Sequence, residues 1–294
     1  MRIAIIGAAG QMGMWLINHF VSQGHILVGS DSRSDELREL AETHDLILAS
    51  SNSAAVKDAD VVVVSVPVTK TSEVIQNIAP QMKPDAVLCE ISSVKGKIPM
   101  TLQEASKKGI RPLCIHPMFG PGTRSLKKRI ILIPIVNLAV EDGIVEILFP
   151  DSEIIVADQE EHDKIIALTI SLPYFVNMIL ASVLADEDVN LLERLGGTTF
   201  TMQLMLTASI MSQSHTLHST MQFENKHVLN LLQKLQLRMR ESIASLSDID
   251  FGRFEQIFLE AKNGLGEGVD LGQKYNEMYT VLESLRGENG MVKQ

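Results

Sequence analysis

The sequence predicts an α/β amino-terminal domain, a Rossmann-like, doubly wound parallel sheet, followed by an all-α carboxy-terminal domain. A short apolar strand over Arg2–Ile6 runs straight into a glycine-rich turn that begins at Gly7. Further apolar, β-branched runs then alternate with helical segments, which is typical of a parallel sheet covered on both faces. Beyond Ala157 helical periodicity dominates, with many Leu and Met residues, so the remainder is predicted to be helical.

The glycine turn predicts a dinucleotide-binding unit. Its glycines have the spacing Gly-x-x-Gly-x-x-Gly, one residue longer than the common pattern, and an amphipathic helix follows. Glycines let the backbone approach a pyrophosphate, and the amino terminus of the helix offers free N–H groups. The predicted cofactor-binding residues in this turn are Gly7, Gly10, Gln11, Met12 and Gly13.

A second strand is predicted over His25–Ser30, and Asp31 follows it at about the distance where an acidic residue meets the adenosine ribose. A carboxylate there accepts hydrogen bonds from the ribose hydroxyls and repels a 2′-phosphate, which favours NAD. Ser32 and Arg33 keep NADP open, because an arginine beside the acid can accommodate that phosphate. The structural alternative for Asp31 is a cap of the next helix.

The alternation continues along the first half of the chain. A buried strand ends in Ser65, Val66 and Pro67, which are assigned to the cofactor site. Asp158 precedes Glu161 by three residues, a capping-box-like spacing, so we place the domain boundary there, with domains at 1–157 and 158–294. The other predicted strands cover residues 59–67, 86–90, 113–116, 130–136 and 154–156, and the predicted helices cover residues 34–43, 70–78 and 98–107.

The hexapeptide His116-Pro117-Met118-Phe119-Gly120-Pro121 is the strongest candidate for chemistry. Its histidine follows a short apolar run, so we expect it at the carboxyl end of a strand, where α/β sheets place their ligand-binding and catalytic residues. Histidine has the unperturbed pKa closest to neutral, which suits general acid/base work. The structural alternative is a plain His-Pro turn.

Composition narrows the classes of protein. The chain has 294 residues, 45% hydrophobic and 21% charged, with a net charge of −10, which argues against nucleic-acid or anionic-membrane partners. Cys89 and Cys114 are far apart and are expected to be free thiols of a reducing cytoplasm. Metal-ligand spacing is absent. No secretory signal is expected, and no apolar run approaches about twenty residues.

Together these motifs resemble the prephenate dehydrogenase family of tyrosine biosynthesis, particularly its single-function archaeal type. The resemblance covers nearly the whole chain and adds Ile91-Ser92-Ser93-Val94-Lys95 and Glu161-His162-Asp163 to the glycine turn and the hexapeptide. It implies a nucleotide domain, a helical domain that forms a homodimer, and oxidation of prephenate with NAD or NADP to 4-hydroxyphenylpyruvate and carbon dioxide. It also implies site residues: His116 and Ser93 as catalytic groups, and His162, Lys95, Met118 and Gly120 as substrate-binding groups. The structural alternatives are a turn cap for Ser93, a plain helix-terminus histidine for His162 and a solvated lysine for Lys95. Arg194 and Lys226 are assigned to the substrate as cations of the helical half.

The helical half departs from the family pattern. Ser171 and Tyr174 stand where members commonly have histidines, and Ser209 stands where members commonly have a carboxylate-binding arginine. A serine cannot supply the charge-assisted, bidentate bond of an arginine. Either another cation substitutes, or the substrate differs, with arogenate and an amino-substituted prephenate as near alternatives. The candidate cations are Arg124, Lys127, Arg194 and Lys226.

Two other readings remain. The chain could be a catalytically idle NAD-binding regulator of the same fold, although Ser93 and His116 together argue against it. A β-hydroxyacid dehydrogenase shares the two-domain plan, but it normally relies on a lysine in the helical half, and the His116 hexapeptide fits it poorly.

Overall fold

The computed structural model describes residues 1–124 and 127–290, with side chains as far as 285. Its chain divides into two compact units, the first of residues 1–169 and 219–227 and the second of residues 170–218 and 228–294. The first unit therefore extends past residue 157 and also includes the short later segment 219–227. The boundary at 157/158 stays a prediction.

The first unit is built on one eight-stranded sheet with the strand order 3-2-1-4-5-6-7-8. The order reverses at β1, next to β4, as in doubly wound sheets that bind a ligand at the carboxyl ends of their strands. The predicted fold class is confirmed. The strands are β1 (Arg2–Ile6), β2 (Ile26–Ser30), β3 (Leu46–Leu48), β4 (Val61–Val64), β5 (Val87–Glu90), β6 (Arg111–Pro117), β7 (Arg129–Leu132) and β8 (Glu153–Val156).

Strands β1 to β6 are parallel, but β7 runs antiparallel to β6. The chain crosses from β6 to β7 through residues 118–128, whose described part contains no helix. A parallel return needs a longer crossover, usually helical, so this shorter connection reverses the strand. The sheet is thus mostly parallel, where the sequence predicts a wholly parallel one.

Helices cover both faces of the sheet, and alternate residues of each strand point to opposite faces. In β1, Ile3 and Ile5 belong to one hydrophobic cluster, and Ala4 and Ile6 belong to the other, as the period of two requires. The helices of this unit are α1 (Gln11–Ser22), α2 (Ser34–Thr43), α3 (Asn52–Val56), α4 (Val68–Ile78), α5 (Ile98–Ser106), α6 (Leu138–Leu148) and α7 (Gln159–Ile166).

Most predicted elements are present, and the misses have simple causes. The three-residue strand β3 and the five-residue helix α3 are too short to give a periodic signal. Helix α6 was not predicted, and the strand predicted over 130–136 ends at Leu132. The predicted cap is confirmed: the Asp158 carboxylate accepts the N–H of Glu161 at 2.8 Å and starts α7.

The second unit is helical. Helix α10 (Thr198–Met211) packs against α8 (Leu172–Leu184) and α14 (Leu271–Gly290), and α12 (Val228–Ser247) packs against α8 and α13 (Phe251–Gly266). A π-helical turn, Ala167–Ser171, precedes α8, and α11 (His215–Phe223) spans the division between the units. The short helix α9 (Val189–Leu195) lies between α8 and α10 in the chain.

One helical stretch of the described chain, Gln159–Leu184, is long and apolar enough by length and composition to cross a membrane. The sequence predicts no apolar run of about twenty residues. The helical stretch reaches this length because α7 continues through the π-helical turn into α8. Core helices of soluble proteins satisfy the same criteria.

Candidate active site

The glycine turn after β1 forms a cradle that only glycine permits. Gly7 has φ +88°, and a Cβ there would lie 2.3 Å from the carbonyl oxygen of Ser65. A Cβ on Gly13 would lie 2.3 Å from the carbonyl oxygen of Gly7. Helix α1 then begins at Gln11 with no side-chain cap, so its first N–H groups are available to an anion. These contacts bring Ser65, at the end of β4, against the turn.

Asp31 lies beside the same turn. Its carboxylate accepts the N–H of Ala9 at 3.0 Å and a two-pronged bond from the Arg33 guanidinium at 3.2 and 3.1 Å. Burial works to raise the pKa of Asp31, but the bonds from Arg33 and Ala9 outweigh it and lower the pKa. The acid is therefore ionised, and the half-exposed guanidinium of Arg33 (48%) stands next to the phosphate cradle.

The other predicted cofactor residues surround this cradle. Met12 lies in the first turn of α1, Ser32 is exposed after Asp31, and Val66 is half-buried. Pro67 immediately precedes α4. The structure brings these positions to the carboxyl ends of β1, β2 and β4, and their contacts with a cofactor stay a prediction.

His116 lies in β6, opposite Ile131 of β7. Only 4% of the residue is exposed. Its Nδ1 lies 3.0 Å from Nε2 of His162, and its own Nε2 makes no hydrogen bond within the described residues. Burial first, and then the charges of Lys95 and His162, hold the pKa of His116 well below its ordinary value. The imidazole is therefore neutral at physiological pH.

His162 and Asp163 stand together in α7. Nδ1 of His162 lies 2.8 Å from Oδ1 of Asp163, and the same carboxylate accepts the N–H groups of Lys95 and Gly96 at 3.1 and 3.3 Å. Both side chains are buried. The amino-terminal end of α7 is thereby attached to the segment after β5. The carboxylate connects two of the predicted motifs, and His162 connects them to the third through His116.

Lys95 is fully buried, with 0% of its side chain exposed. Its ammonium donates to Oε1 of Glu90 and to the carbonyl oxygen of Ile115, both at 2.6 Å. Glu90 also accepts the Cys114 thiol at 2.9 Å and the N–H of Ser92 at 2.9 Å. The sequence predicts that Lys95 binds substrate, with a solvated lysine as the plain alternative. The structure instead places its ammonium in a buried ion pair beneath the strand that carries the histidine.

The segments next to these groups hold the remaining predicted residues of this unit. Ser93 is half-buried, and its hydroxyl makes no hydrogen bond within the described residues. Met118 is half-buried and Gly120 is exposed. Trp15 of α1 donates its indole N–H to the carbonyl of Thr123 at 3.1 Å, so the loop after His116 is attached to the helix that follows the phosphate cradle.

The candidate cations occupy different settings. Lys226 belongs to the first unit, not to the helical one, and its exposed ammonium pairs with Glu160. Lys127 pairs with Glu153 at 3.6 Å. Arg124, on the loop after His116, is exposed and has no ion pair among the described residues. Arg194, in the last turn of α9, belongs to the second unit.

The departures from the family pattern also lie in the second unit. Ser171 is fully buried and Ser209 is exposed. The Tyr174 hydroxyl donates to Gln213 at 2.8 Å, and its ring lies 4.8 Å from that of His218. Among the side chains of residues 1–124 and 127–285, no group of three acidic, histidine or cysteine residues is arranged to hold a metal ion.

Sequence reasoning missed three residues that support this site. Glu90 ends a buried strand as a charged residue, and a buried charge requires a partner, so its position was the available signal. Asp163 belongs to the Glu161-His162-Asp163 motif, and its position directly after a histidine was the available signal. Asn225, whose amide donates to the carbonyl of Asp163 at 2.7 Å, gives no signal in the sequence.

Comparison with known families agrees with this architecture. The model described as "Prephenate dehydrogenase, nucleotide-binding domain" matches residues 20–131, and the model described as "Prephenate dehydrogenase, dimerization domain" matches residues 158–260. The two models describe the parts of one family, in the same order as in this chain.

Individual relatives are distant but cover nearly all of the chain. A probable arogenate/prephenate dehydrogenase of Methanocaldococcus jannaschii is 22% identical over 94% of this chain. This chain spans only 64% of the length of that protein. A 4-amino-4-deoxyprephenate dehydrogenase of Streptomyces pristinaespiralis is 26% identical, covering 96% of this chain and 97% of that protein. The crystal structure of prephenate dehydrogenase from A. aeolicus with hydroxyphenyl propionate and NAD+ is 19% identical, with a TM-score of 0.72, covering 91% of this chain and 98% of that one.

Proposed function

The chain belongs to the prephenate dehydrogenase family, and on this premise we propose that it oxidises a prephenate-like dianion with NAD, releasing carbon dioxide and 4-hydroxyphenylpyruvate. We base this chiefly on His116, a buried neutral histidine near the carboxyl end of β6 whose Nε2 has no hydrogen-bond partner in the part of the chain that the structure describes. It is carried by the same unit as the phosphate cradle. A nucleotide site and a hydrogen-bond acceptor on one sheet suit hydride transfer from an alcohol.

The residues of the cradle fit a dinucleotide. Any side chain at Gly7 or Gly13 would collide with backbone oxygens, so the turn stays open for a pyrophosphate against the uncapped start of α1. Asp31, ionised beside it, would accept the ribose hydroxyls and repel a 2′-phosphate, which favours NAD. NADP remains accessible through Arg33, whose guanidinium is half-exposed next to the cradle.

Each group then has a stated part in the reaction. When bound, NAD supplies the acceptor for a hydride that leaves the ring carbon bearing the hydroxyl. Nε2 of His116 accepts the hydrogen bond of that hydroxyl, which strengthens as the C–O bond gains carbonyl character. The bond from the ring to the carboxylate breaks, its electron pair enters the ring, and the aromatic product keeps the hydroxyl proton. A histidine with a depressed pKa suits this task, because it accepts the hydrogen bond without taking the proton from the hydroxyl.

The substrate dianion requires cationic partners, since an unpaired buried charge is costly. Arg124 is the cation of the first unit that we assign to a carboxylate, because it follows the His116 loop and has no ion pair among the described residues. Arg194 remains the candidate in the second unit. Lys226 would first have to leave Glu160. Ser93, Met118 and Gly120 remain proposed substrate contacts.

We also assign the protein to the cytoplasm and to a homodimer formed through the helical unit. Cys89 and Cys114 are free, buried thiols, as in a reducing compartment. The matched dimerization model covers residues 158–260. Apolar side chains on α12 and α13 are highly exposed in the single chain, as in a surface that a second subunit covers. They include Leu229, Ile243, Leu246, Phe251 and Phe258.

The test is a cofactor-reduction assay of prephenate and arogenate, each with NAD and with NADP. His116→Asn should lower kcat by roughly 10²–10⁴, the scale of a positioned acid/base group, with a much smaller change in KM. His44→Asn, at the carboxyl end of α2, is the matched control and should retain full activity. A near-normal kcat for His116→Asn would make that residue structural and remove this mechanism.

The amino-substituted analogue is the second candidate substrate. The S. pristinaespiralis relative, a 4-amino-4-deoxyprephenate dehydrogenase, is matched over 97% of its length by 96% of this chain. In this chain, Ser209 also stands where family members commonly have an arginine. An Nε2 acceptor can bind an amine as well as a hydroxyl. Turnover of the amino analogue without turnover of prephenate would select this candidate. No cofactor reduction with any of these substrates would instead favour the idle regulator.

A further inference from the structure

Three buried side chains of the first unit form a continuous row of hydrogen bonds. Asp163 Oδ1 lies 2.8 Å from His162 Nδ1, and His162 Nε2 lies 3.0 Å from His116 Nδ1. The exposed fractions of the three residues are 5%, 0% and 4%. Because water is largely excluded from this row, the three nitrogens inside it (both of His162 and Nδ1 of His116) have to be satisfied by their neighbours in the row.

The carboxylate at one end fixes the direction of these bonds. Burial works to raise the pKa of Asp163, but hydrogen bonds from His162 and from the N–H groups of Lys95 and Gly96 outweigh it and lower the pKa. An ionised carboxylate can only accept, so Nδ1 of His162 carries a proton. Burial, the largest influence, lowers the pKa of His162, so the ring is neutral and its Nε2 is an acceptor.

His116 must then donate from Nδ1, because the atom that it faces has a lone pair and no proton. A neutral imidazole carries one proton, so Nε2 of His116 has a free lone pair. That nitrogen is the one with no partner among the described residues. The Nε2–H tautomer of His116 would place two acceptors against each other at 3.0 Å.

The charges around His116 keep it in this state. Lys95, from the segment after β5, holds its ammonium on the carbonyl oxygen of Ile115, the residue before the histidine. Glu90 of β5 and the thiol of Cys114 of β6 complete that buried group. A buried positive charge on this side disfavours a second proton on His116.

We propose that His162 and Asp163 are positioning residues that hold His116 as its Nδ1–H tautomer and so make Nε2 the acceptor for the substrate. This inference rests on the proposed function for the identity of the reaction, but the tautomer is a property of the protein alone. It also replaces the substrate-binding role that the sequence predicts for His162, since both of its ring nitrogens are bonded within the protein.

The first test reads the tautomers directly. Two-bond 15N–1H correlation spectra of the 15N-histidine-labelled protein distinguish Nδ1–H from Nε2–H rings, and the variants His116→Asn and His162→Gln assign the two signals. We expect both rings to be neutral Nδ1–H tautomers at pH 7. An Nε2–H tautomer or a cationic ring at His116 would overturn the proposal, whatever substrate the protein uses.

The second test separates positioning from substrate binding. Asp163→Asn and His162→Gln should each lower kcat by about 10–100-fold, the scale of outer-shell partners, with little change in KM. In Asp163→Asn the His116 signal should move toward the Nε2–H tautomer. Glu161→Gln is the matched control, because it removes one exposed negative charge from the same turn of α7 and should change neither value. A raised KM with an unchanged kcat in His162→Gln would show that His162 binds the substrate and does not position His116.

These outcomes are independent of the proposed function. Wild-type protein with the expected tautomers but no turnover of prephenate, arogenate or the amino analogue would refute the proposed reaction and leave the positioning row intact. Turnover of prephenate with an Nε2–H tautomer at His116 would do the reverse.

Discussion

Replacing Lys95 with methionine should destabilise the first unit severely. The ammonium of Lys95 lies 2.6 Å from Glu90 Oε1, and neither side chain is exposed. Methionine fills similar volume but leaves the Glu90 carboxylate buried with only a thiol and a backbone N–H as donors. Breaking one partner of a buried pair costs about 3–5 kcal/mol.

The double variant gives the decisive comparison. In Lys95→Met/Glu90→Gln neither charge of this pair remains, and replacing a whole buried pair is often neutral or even stabilising. The double variant should therefore lose far less than the sum of the single losses, with a coupling energy of about 2–3 kcal/mol. This pattern follows from uncompensated charge and does not arise from lost packing alone.

The chain carries its own reporter for this measurement. Trp15 is the only tryptophan, and it lies in the first unit, so its fluorescence in urea follows the unfolding of that unit. Lys83→Met is the control, because its partner Asp60 forms an ion pair that is 42% exposed on both sides, and exposed pairs contribute about 0–1 kcal/mol. A loss below about 1 kcal/mol for Lys95→Met, or additive losses in the double variant, would refute the reasoning.

Two further predictions concern the cofactor and pH. Asp31→Ala should narrow the preference for NAD over NADP in kcat/KM, because it removes a negative charge and frees Arg33 for a 2′-phosphate. The control Asp35→Ala, which breaks an exposed ion pair on α2, should leave the ratio of the two kcat/KM values unchanged. Equal use of both cofactors by the unmodified protein would contradict the assignment. The free energy of unfolding should fall as pH drops below the ordinary histidine pKa of 6.5, because burial, Lys95 and His162 hold the folded pKa of His116 far lower and only the unfolded chain takes up the proton. His116→Asn should reduce that slope by up to about 1.4 kcal/mol per pH unit in urea titrations, and an unchanged slope would show that the buried ring is already protonated.

Local patterns were sufficient for most strands of the sheet and for the phosphate cradle. The strand, glycine turn and helix at the amino terminus are contiguous, and Gly7 and Gly13 are required by contacts within that turn and with the end of β4. The strand ending in His116 was likewise readable, since an apolar run precedes it directly. Sequence also indicated the family, which the family models confirm.

The direction of β7 could not be read in the same way. Apolar runs over β6 and β7 give equal strand signals whichever way the second strand runs. The choice is made by the connection over 118–128, whose described part contains no helix to carry a parallel crossover.

The sequence by itself determined which residue types are available for cofactor binding and acid/base chemistry: a glycine cradle, an acid after the second strand and a histidine at a strand end. Only the tertiary structure decided how the charged groups are shared. Lys95 and His162 were each assigned to the substrate, yet Lys95 is bonded to Glu90 and His162 to Asp163 and His116. Those partners lie on different elements, and a pattern along the chain carries no distances between them. Burial then makes each partner obligatory, because a charge or ring nitrogen removed from water must be satisfied by whatever the fold places beside it.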